Sequence, residues 1–269
     1  MNRTPAHRYL VLLTMLVALF AGAAPATAAE RGHVSTPGTG ILPSLLSWGS
    51  CKDIHTIFPF APDGTYPLIT GNDTLLTVFC YDMAGTPREY IDLAHTGAGS
   101  NFAQYTAGGA SPGTNVRTSF TKLRIDPATL TVDIGDLTFA TSTGRLQHSS
   151  VTRGPSSPFV TAMPYGVAMS CEHPGSSDGV ADINLQGTPF IVDDTFVVRT
   201  FEGSGSATVS PDKKTVALNG GGYCGWISPA PSLDSPFNPQ PGDFRLNLAC
   251  APYDPFMAAP SGQYCVKLS

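Results

Sequence analysis

The chain has 269 residues and a formal net charge of −5, and only 13 % of its residues are charged. An acidic chain without a Lys/Arg cluster is a poor nucleic-acid binder, because phosphate contacts require concentrated positive charge. Gly (28) and Pro (24) are abundant, which favours turns and short strands over helices. The composition therefore predicts a mainly β protein and argues against a nucleic-acid partner.

Residues 1–28 have the three-part layout of a secretory signal peptide. Arg3 and Arg8 lie in a basic start, residues 9–20 are apolar, and residues 26–28 read Ala-Thr-Ala, the form of a cleavage site. The apolar run is too short to span a bilayer. We therefore expect a secreted, extracellular protein with no membrane span, beginning near Ala29. Removing Arg3 and Arg8 changes the net charge from −5 to −7.

All six cysteines follow this segment: Cys51, Cys80, Cys171, Cys224, Cys250 and Cys265. An even number of cysteines in an exported chain indicates disulfides, and the lack of a Cys-x-x-Cys pair argues against a zinc ribbon. Many connectivities are open to six cysteines. We expect neighbours in sequence order to pair, which gives Cys51–Cys80, Cys171–Cys224 and Cys250–Cys265.

Residues 29–47 are rich in Gly, Pro and Thr and are interpreted as a flexible leader. Ser50 and Asp53 then fit a capping box, which predicts a short helix over 51–57. Candidate strands follow at 66–70, 75–81 and 88–93, the first two joined by a tight turn. This part of the chain is typical of a meander.

The next stretches alternate between strand patterns and loops. Residues 95–115 and 142–165 are interpreted as long loops. Near-continuous apolar residues from Phe190 to Phe201 predict a long central strand, and Gly220–Gly222 permits positive φ or close backbone approach. Further strands are predicted at 118–126, 130–134, 137–141 and 180–186, in a hairpin at 209–218, and in a closing pair at 244–250 and 263–268.

The expected fold is thus a single disulfide-stabilised domain, mainly β. It consists of short antiparallel strands with long loops and at most one or two short helices. The main body covers 48–229, and residues 230–269 form a Pro-rich linker and a C-terminal strand pair.

A set of short motifs in this body resembles the GON domain. In order, they are Ser50-Cys51-Lys52-Asp53, Asp63-Gly64-Thr65-Tyr66, Cys80-Tyr81-Asp82-Met83, Pro87-Arg88-Glu89-Tyr90-Ile91, Phe120-Thr121-Lys122-Leu123-Arg124-Ile125-Asp126, Asp136-Leu137-Thr138-Phe139-Ala140, Ile183-Asn184-Leu185-Gln186-Gly187-Thr188 and Gly221-Gly222-Tyr223-Cys224-Gly225. That module ends certain secreted zinc metalloproteases with thrombospondin repeats and also occurs in bacterial secreted proteins. The resemblance implies an accessory, metalloprotease-associated domain of an extracellular protein.

The animal modules are richer in cysteine around the Tyr-Cys-Gly motif. Here Asn219, Gly220 and Trp226 occupy places where further cysteines would stand, so the extra bridges are absent. The pairing of Cys171 with Cys224 therefore has less support than the other two. Zinc binding and metalloendopeptidase activity would come to this chain only by inheritance from its multidomain relatives.

Zinc peptidase chemistry needs two His one helical turn apart with a Glu between them. No His-Glu-x-x-His occurs, and no two of the six histidines are four residues apart: His7, His33, His55, His95, His148 and His173. Residues 175–179 match Gly-x-Ser-x-Gly, but they lie in a polar stretch and are interpreted as a turn. The sequence predicts no catalytic residues and no cofactor.

Two other patterns leave alternatives open. Asp126, Asp133, Asp136 and the pair Asp193-Asp194 could bind calcium, but they lack EF-hand spacing and fit turn formers. Three aromatic residues form a candidate ligand surface. The favoured alternative is that they belong to the core and cover the Cys224 bridge. They are Phe201, Tyr223 and Trp226.

The favoured interpretation of function is an extracellular, non-catalytic binding module whose partner is an unknown extracellular protein or a cell-envelope glycan. The alternative is an extracellular hydrolase in which paired carboxylates such as Asp82 and Glu89 act on glycosides. A deep pocket with convergent titratable groups would favour the enzyme, and a shallow aromatic surface would favour the binding module.

Overall fold

The computed structural model describes residues 48–106, 115–147, 159–171, 178–196, 199–201, 204–222, 225–229, 245–252 and 262–268. Within these ranges the chain forms one helix and nineteen strands, which confirms the predicted mainly β fold. They lie in one compact unit, 43–269. None of the described helical residues form a segment long and apolar enough to cross a membrane.

The helix α1 (Cys51–Ile57) has the predicted bounds. The Ser50 hydroxyl accepts a hydrogen bond from the Asp53 backbone N–H at 3.1 Å, as expected for an N-cap residue. Cys51 and Ile54 are its buried residues, and Cys51 is bridged to Cys80. The cap and the bridge together fix the helix against the sheet that follows it.

The strands are numbered in chain order. They are β1 (Gly64–Ile69), β2 (Thr74–Tyr81), β3 (Arg88–Asp92), β4 (Phe102–Thr106), β5 (Val116–Phe120), β6 (Lys122–Asp126), β7 (Thr131–Asp133), β8 (Ala140–Thr143), β9 (Leu146–Gln147), β10 (Phe159–Val160), β11 (Ala168–Ser170), β12 (Gly179–Asn184), β13 (Phe190–Val192), β14 (Arg199–Phe201), β15 (Ser204–Val209), β16 (Thr215–Gly221), β17 (Gly225–Ser228), β18 (Arg245–Cys250) and β19 (Cys265–Lys267).

The first sheet has the order β1-β2-β3-β6-β7-β18-β13, and β19 pairs with β2 beside β3. All its strand pairs among the described residues are antiparallel, and the β1–β2 hairpin is the predicted meander start. Both sheets contribute to one continuous hydrophobic core.

The second sheet is organised around β4. On one edge, β4 pairs with β5, which pairs with β8. On the other edge, β12 pairs with the start of β4 and β11 with its end. The sheet therefore divides into two leaves, the β11 leaf (β11, β17, β14) and the β12 leaf (β12, β16, β15).

The two leaves approach closely at the predicted run of glycines. Gly221 has φ +136°, and a Cβ on it would lie 2.4 Å from the Cβ of Ser170 in β11. A Cβ on Gly220 would lie 2.4 Å from Cγ2 of Ile227 in β17. The expectation of positive φ and close backbone approach is therefore confirmed.

The single strand predicted over 118–126 is wrong. Thr121 separates β5, in the second sheet, from β6, in the first. The reason is a change of phase: the buried residues of β5 have even numbers up to Phe120, whereas Leu123 and Ile125 of β6 have odd numbers. A strand that keeps one buried face keeps one parity, so this shift marks the step between sheets.

The loop predicted over 95–115 is also wrong in part, because it contains β4. Ala103 and Tyr105 of this strand are fully buried and alternate with half-buried residues. Residues 107–114 lie outside the described ranges. The loop predicted over 142–165 likewise contains β9 and β10, a small two-stranded sheet. Small residues around β4 hid its alternation.

The long central strand predicted from Phe190 to Phe201 is not formed. β13 ends at Val192, where the Asp193 carboxylate accepts a hydrogen bond from the Thr195 N–H at 2.8 Å and closes a turn. β14 then belongs to the other sheet, and β13 lies at the end of the first. The two aspartates interrupt the apolar run because Asp readily bonds to nearby backbone.

The C-terminal strands exist, but they do not pair with each other. β18 lies between β7 and β13, whereas β19 pairs with β2. The predicted bridge Cys250–Cys265 joins them, and Cys51–Cys80 is confirmed as well. Cys171 is disulfide-bonded, and its predicted partner, Cys224, lies outside the described residues.

Candidate binding surface

The aspartates considered for calcium close turns. Each carboxylate accepts a hydrogen bond from the backbone N–H two residues further on. These residues are Asp126, Asp133, Asp136 and Asp193. Asp194 pairs with Lys213, and the described residues contain no cluster of three or more potential metal ligands. These contacts agree with the turn interpretation.

The two carboxylates considered for glycoside hydrolysis have structural contacts. Glu89 accepts a hydrogen bond from the backbone N–H of Cys51 at 2.7 Å, and burial raises the pKa of its carboxyl group. Asp82 has φ +58° and accepts from the Thr86 N–H at 3.0 Å. Glu89 thus holds the start of α1, and Asp82 closes the turn after β2.

The aromatic residues first considered as a ligand surface are only partly described. Trp226 is 8 % exposed and belongs to the hydrophobic core, which agrees with the favoured core interpretation. Phe201 lies opposite Trp226 in the β14–β17 ladder. Tyr223 and the side chain of Phe201 lie outside the described residues, as do residues 172–177 and four of the histidines: His7, His33, His148 and His173.

A different aromatic cluster lies on the face of the first sheet opposite Val78 and Cys80. We call it the aromatic patch, and it consists of Phe79, Tyr81, Tyr90 and Phe139. The ring centroids of Phe139 and Tyr90 are 4.8 Å apart, and those of Phe139 and Tyr81 are 5.1 Å apart. Both pairs are edge-to-face, the geometry that aromatic quadrupoles favour. Tyr90 is fully buried, and the other three rings are half-buried.

Strand geometry positions three of these rings. Phe79 and Tyr81 alternate with the buried Val78 and Cys80 on β2, so both point to the same face. Tyr90 on β3 lies directly opposite Phe79, so it presents its ring to the same face. This part of the patch follows from the register of one hairpin pair.

Phe139 comes from the connection between β7 and β8, and Asp136 holds that connection in place. One Asp136 oxygen accepts from the Thr138 N–H at 2.9 Å, and the other accepts from the Tyr90 hydroxyl at 3.2 Å. Asp136 is buried, with Arg124 Nη1 at 3.8 Å. Burial and the charge of Asp136 raise the pKa of Tyr90, so its hydroxyl stays protonated and donates. Asp136 therefore joins the turn to the sheet beneath Phe139.

A basic side chain lies against the rings. The Lys122 ammonium is 4.3 Å from the centroid of Phe79 and 5.7 Å from that of Phe139, and it forms an ion pair with Asp92. Burial lowers its pKa. Gln263 donates to the second Asp92 oxygen at 3.2 Å, and its own side-chain oxygen is buried without a hydrogen-bond partner among the described residues.

Sequence reasoning missed this patch. The alternation of Phe79 and Tyr81 was visible in β2, and it could have indicated an aromatic face. The contribution of Phe139 was not visible, because it depends on a turn folding back over two strands. The result is a set of packed, mostly half-buried rings beside the amine of Lys122 and the carboxylate of Asp92, with the amide of Gln263 buried behind that carboxylate.

These observations define a disulfide-bonded β domain of the extracellular type, with two large sheets and a small two-stranded one. A family model described as the GON domain matches residues 48–111 and 110–235. The chain therefore belongs to the GON domain family, as the ordered motifs predicted. No curated protein and no solved structure matches the chain.

Proposed function

We propose that this chain is a secreted, non-catalytic GON module that binds a cell-envelope glycan through the aromatic patch. The observation that carries the proposal is the set of packed rings held over the sheet by Asp136. Rings fixed by such contacts lose little conformational freedom on binding, so more of the contact energy is retained as affinity.

The chemistry around the rings suits a sugar. The apolar face of a pyranose stacks on an aromatic side chain, and its hydroxyl groups exchange hydrogen bonds with amide and carboxylate groups at the border. Phe79, Tyr81 and Phe139 supply partly exposed rings, while Asp92 and Lys122 supply the polar border. A protein ligand would use the same rings but would not be displaced by free sugars.

The lack of catalysis is supported by the contacts of the carboxylates. Asp82, Glu89 and Asp136 each accept hydrogen bonds from the fold itself. A glycoside hydrolase needs two carboxyl groups that face the substrate. Secretion is supported by the signal-peptide pattern and the disulfides.

The test is co-sedimentation of the purified mature chain with insoluble peptidoglycan, with cellulose as a second matrix. Tyr81→Ala should reduce retention about tenfold, the loss of one stacking contact of about 1.4 kcal/mol. Phe60→Ala is the matched control, because Phe60 is 98 % exposed and lies outside the patch. Thermal melts should show that both variants are folded.

Equal retention of wild type and Tyr81→Ala would contradict the patch as the binding surface. Retention that free oligosaccharide does not displace would contradict a glycan ligand. Release of soluble sugar, or cleavage of casein that EDTA abolishes, would contradict the non-catalytic assignment.

A further inference from the structure

The strand β15 forms an open edge of the second sheet. Among the described residues it pairs only with β16. Its sequence, Ser-Gly-Ser-Ala-Thr-Val, contains no proline and no charge, and most of its described residues are exposed. Such an edge presents unpaired N–H and C=O groups to any strand that fits.

The two ends of the first sheet are protected in ways that β15 is not. β1 carries Pro67, which has no N–H, and its Ile69 N–H donates to the Trp48 carbonyl at 3.0 Å. At the other end, the Val192 N–H of β13 donates to the Lys213 carbonyl at 3.0 Å. Natural sheets use these devices to prevent edge pairing. Their absence from β15 indicates an edge available for pairing.

The hairpin fixes which groups of β15 are free. The Ser210 N–H donates to the Thr215 carbonyl at 2.9 Å, which sets the phase of the β15–β16 ladder. Antiparallel ladders alternate between residues that bond across the pair and residues that point away. The backbone groups of Gly205, Ala207 and Val209 therefore point away from β16.

The free backbone groups of these three residues can pair with the same groups of a second copy of the chain. If two copies of β15 run antiparallel with Ala207 on a two-fold axis, Gly205 lies opposite Val209 of the partner subunit. Each free N–H then meets a free C=O, which gives about six hydrogen bonds. Val209, 39 % exposed, packs where Gly205 of the partner subunit has no side chain.

We propose that the chain forms a two-fold dimer by antiparallel pairing of β15 with β15 of a second copy. The self-complementary register and the absence of charge favour a second copy over an unrelated peptide. One pair of six-residue strands is smaller than a standard protein interface, so the dimer is weak and reversible.

Sedimentation velocity of the folded mature chain between about 5 µM and about 500 µM tests the dimer. The dimer fraction should rise with concentration in the wild type. Ala207→Pro should abolish it, because it removes an N–H that points away from β16 and bonds to none of the described residues in the monomer. Ser142→Pro, on the exposed strand β8, is the matched control. The Thr121 N–H donates to the Phe139 carbonyl, and the alternation counted from this bond places the Ser142 N–H away from β5. A monomeric wild type, or dimerisation that only Ser142→Pro abolishes, would overturn the proposal.

Cross-linking tests the register. Ser206 lies opposite Thr208 of the partner subunit in a non-hydrogen-bonded pair, where Cα atoms are about 4.5 Å apart and a disulfide can form. A mixture of Ser206→Cys and Thr208→Cys chains should therefore cross-link at least about fivefold more than either variant alone. Equal cross-linking in all three samples would rule out this register.

Discussion

The two sheets are held together by different means. In the first, Cys51–Cys80 and Cys250–Cys265 join the helix and the C-terminal strand to the ladder, and aromatic rings cover one face. In the second, two leaves touch at glycines without side chains, and a buried asparagine connects a loop to β12. Cys171, which directly follows β11 of the second sheet, is disulfide-bonded as well. The comparison therefore contrasts packed aromatic rings in the first sheet with a close backbone fit in the second.

Asn101 is the hub of the second sheet. It is fully buried, and its amide nitrogen donates to the carbonyls of His95 and Asn184 at 2.7 and 2.8 Å. Its amide oxygen accepts from the Asn184 N–H at 2.8 Å, and the Tyr165 hydroxyl also donates to it. Removing this side chain would take at least one buried hydrogen bond from each of these groups.

The largest effect is therefore expected for Asn101→Ala, at about 3–5 kcal/mol of unfolding free energy in urea titrations. Loss of several buried hydrogen bonds accounts for most of it, and the φ of +52° adds strain for alanine. Asn219→Ala, at an exposed position of β16, is the control and should change stability by less than about 0.5 kcal/mol. Similar values for both variants would show that Asn101 is not the hub.

In the first sheet, replacing both Cys250 and Cys265 by Ser should cost about 3 kcal/mol, from the entropy of the 15-residue loop that the bridge closes. Guanidinium titrations of wild type and variant would measure it. A cost below about 1 kcal/mol would mean that β19 is held by its pairing with β2 rather than by the bridge.

A further measurement concerns the contact between the leaves. Gly221→Ala should destabilise the chain by about 2–3 kcal/mol, since the new methyl group would overlap Ser170 and the backbone φ is positive. Gly71→Ala has open space around its Cβ and should be close to neutral in the same thermal melts. If the two variants have the same melting temperature, the close contact between the leaves does not contribute to stability.

The smallest effect is a pH dependence in the first sheet. Burial raises the pKa of Glu89 above its usual value of 4.5, so the folded state binds a proton more readily than the unfolded state. This contribution to stability is complete below pH 4.5 and is lost as pH rises through the folded pKa. Glu89→Gln should remove this pH dependence, measured by urea titrations at several pH values. An unchanged pH profile would contradict it.

Sequence patterns predicted the elements that carry strong local signals. The Ser50 cap placed α1, and turn residues placed the β1–β2 and β15–β16 hairpins. They could not place β4, whose neighbours are small, or the change of sheet at Thr121, where a strand-like pattern continues. The aromatic patch escaped notice because only the folded turn brings Phe139 over Tyr81 and Tyr90.

Thr121 also connects the two large sheets, because it lies between β5 of the second sheet and β6 of the first. Its N–H and its hydroxyl both donate to the carbonyl of Phe139, at 3.0 and 3.1 Å, so the step between the sheets is clamped by the same residue whose ring lies in the patch. With a single residue between β5 and β6, tension applied to one half passes directly to the other. A molecule bound to the ring of Phe139 would therefore contact the residue that Thr121 holds between the two sheets.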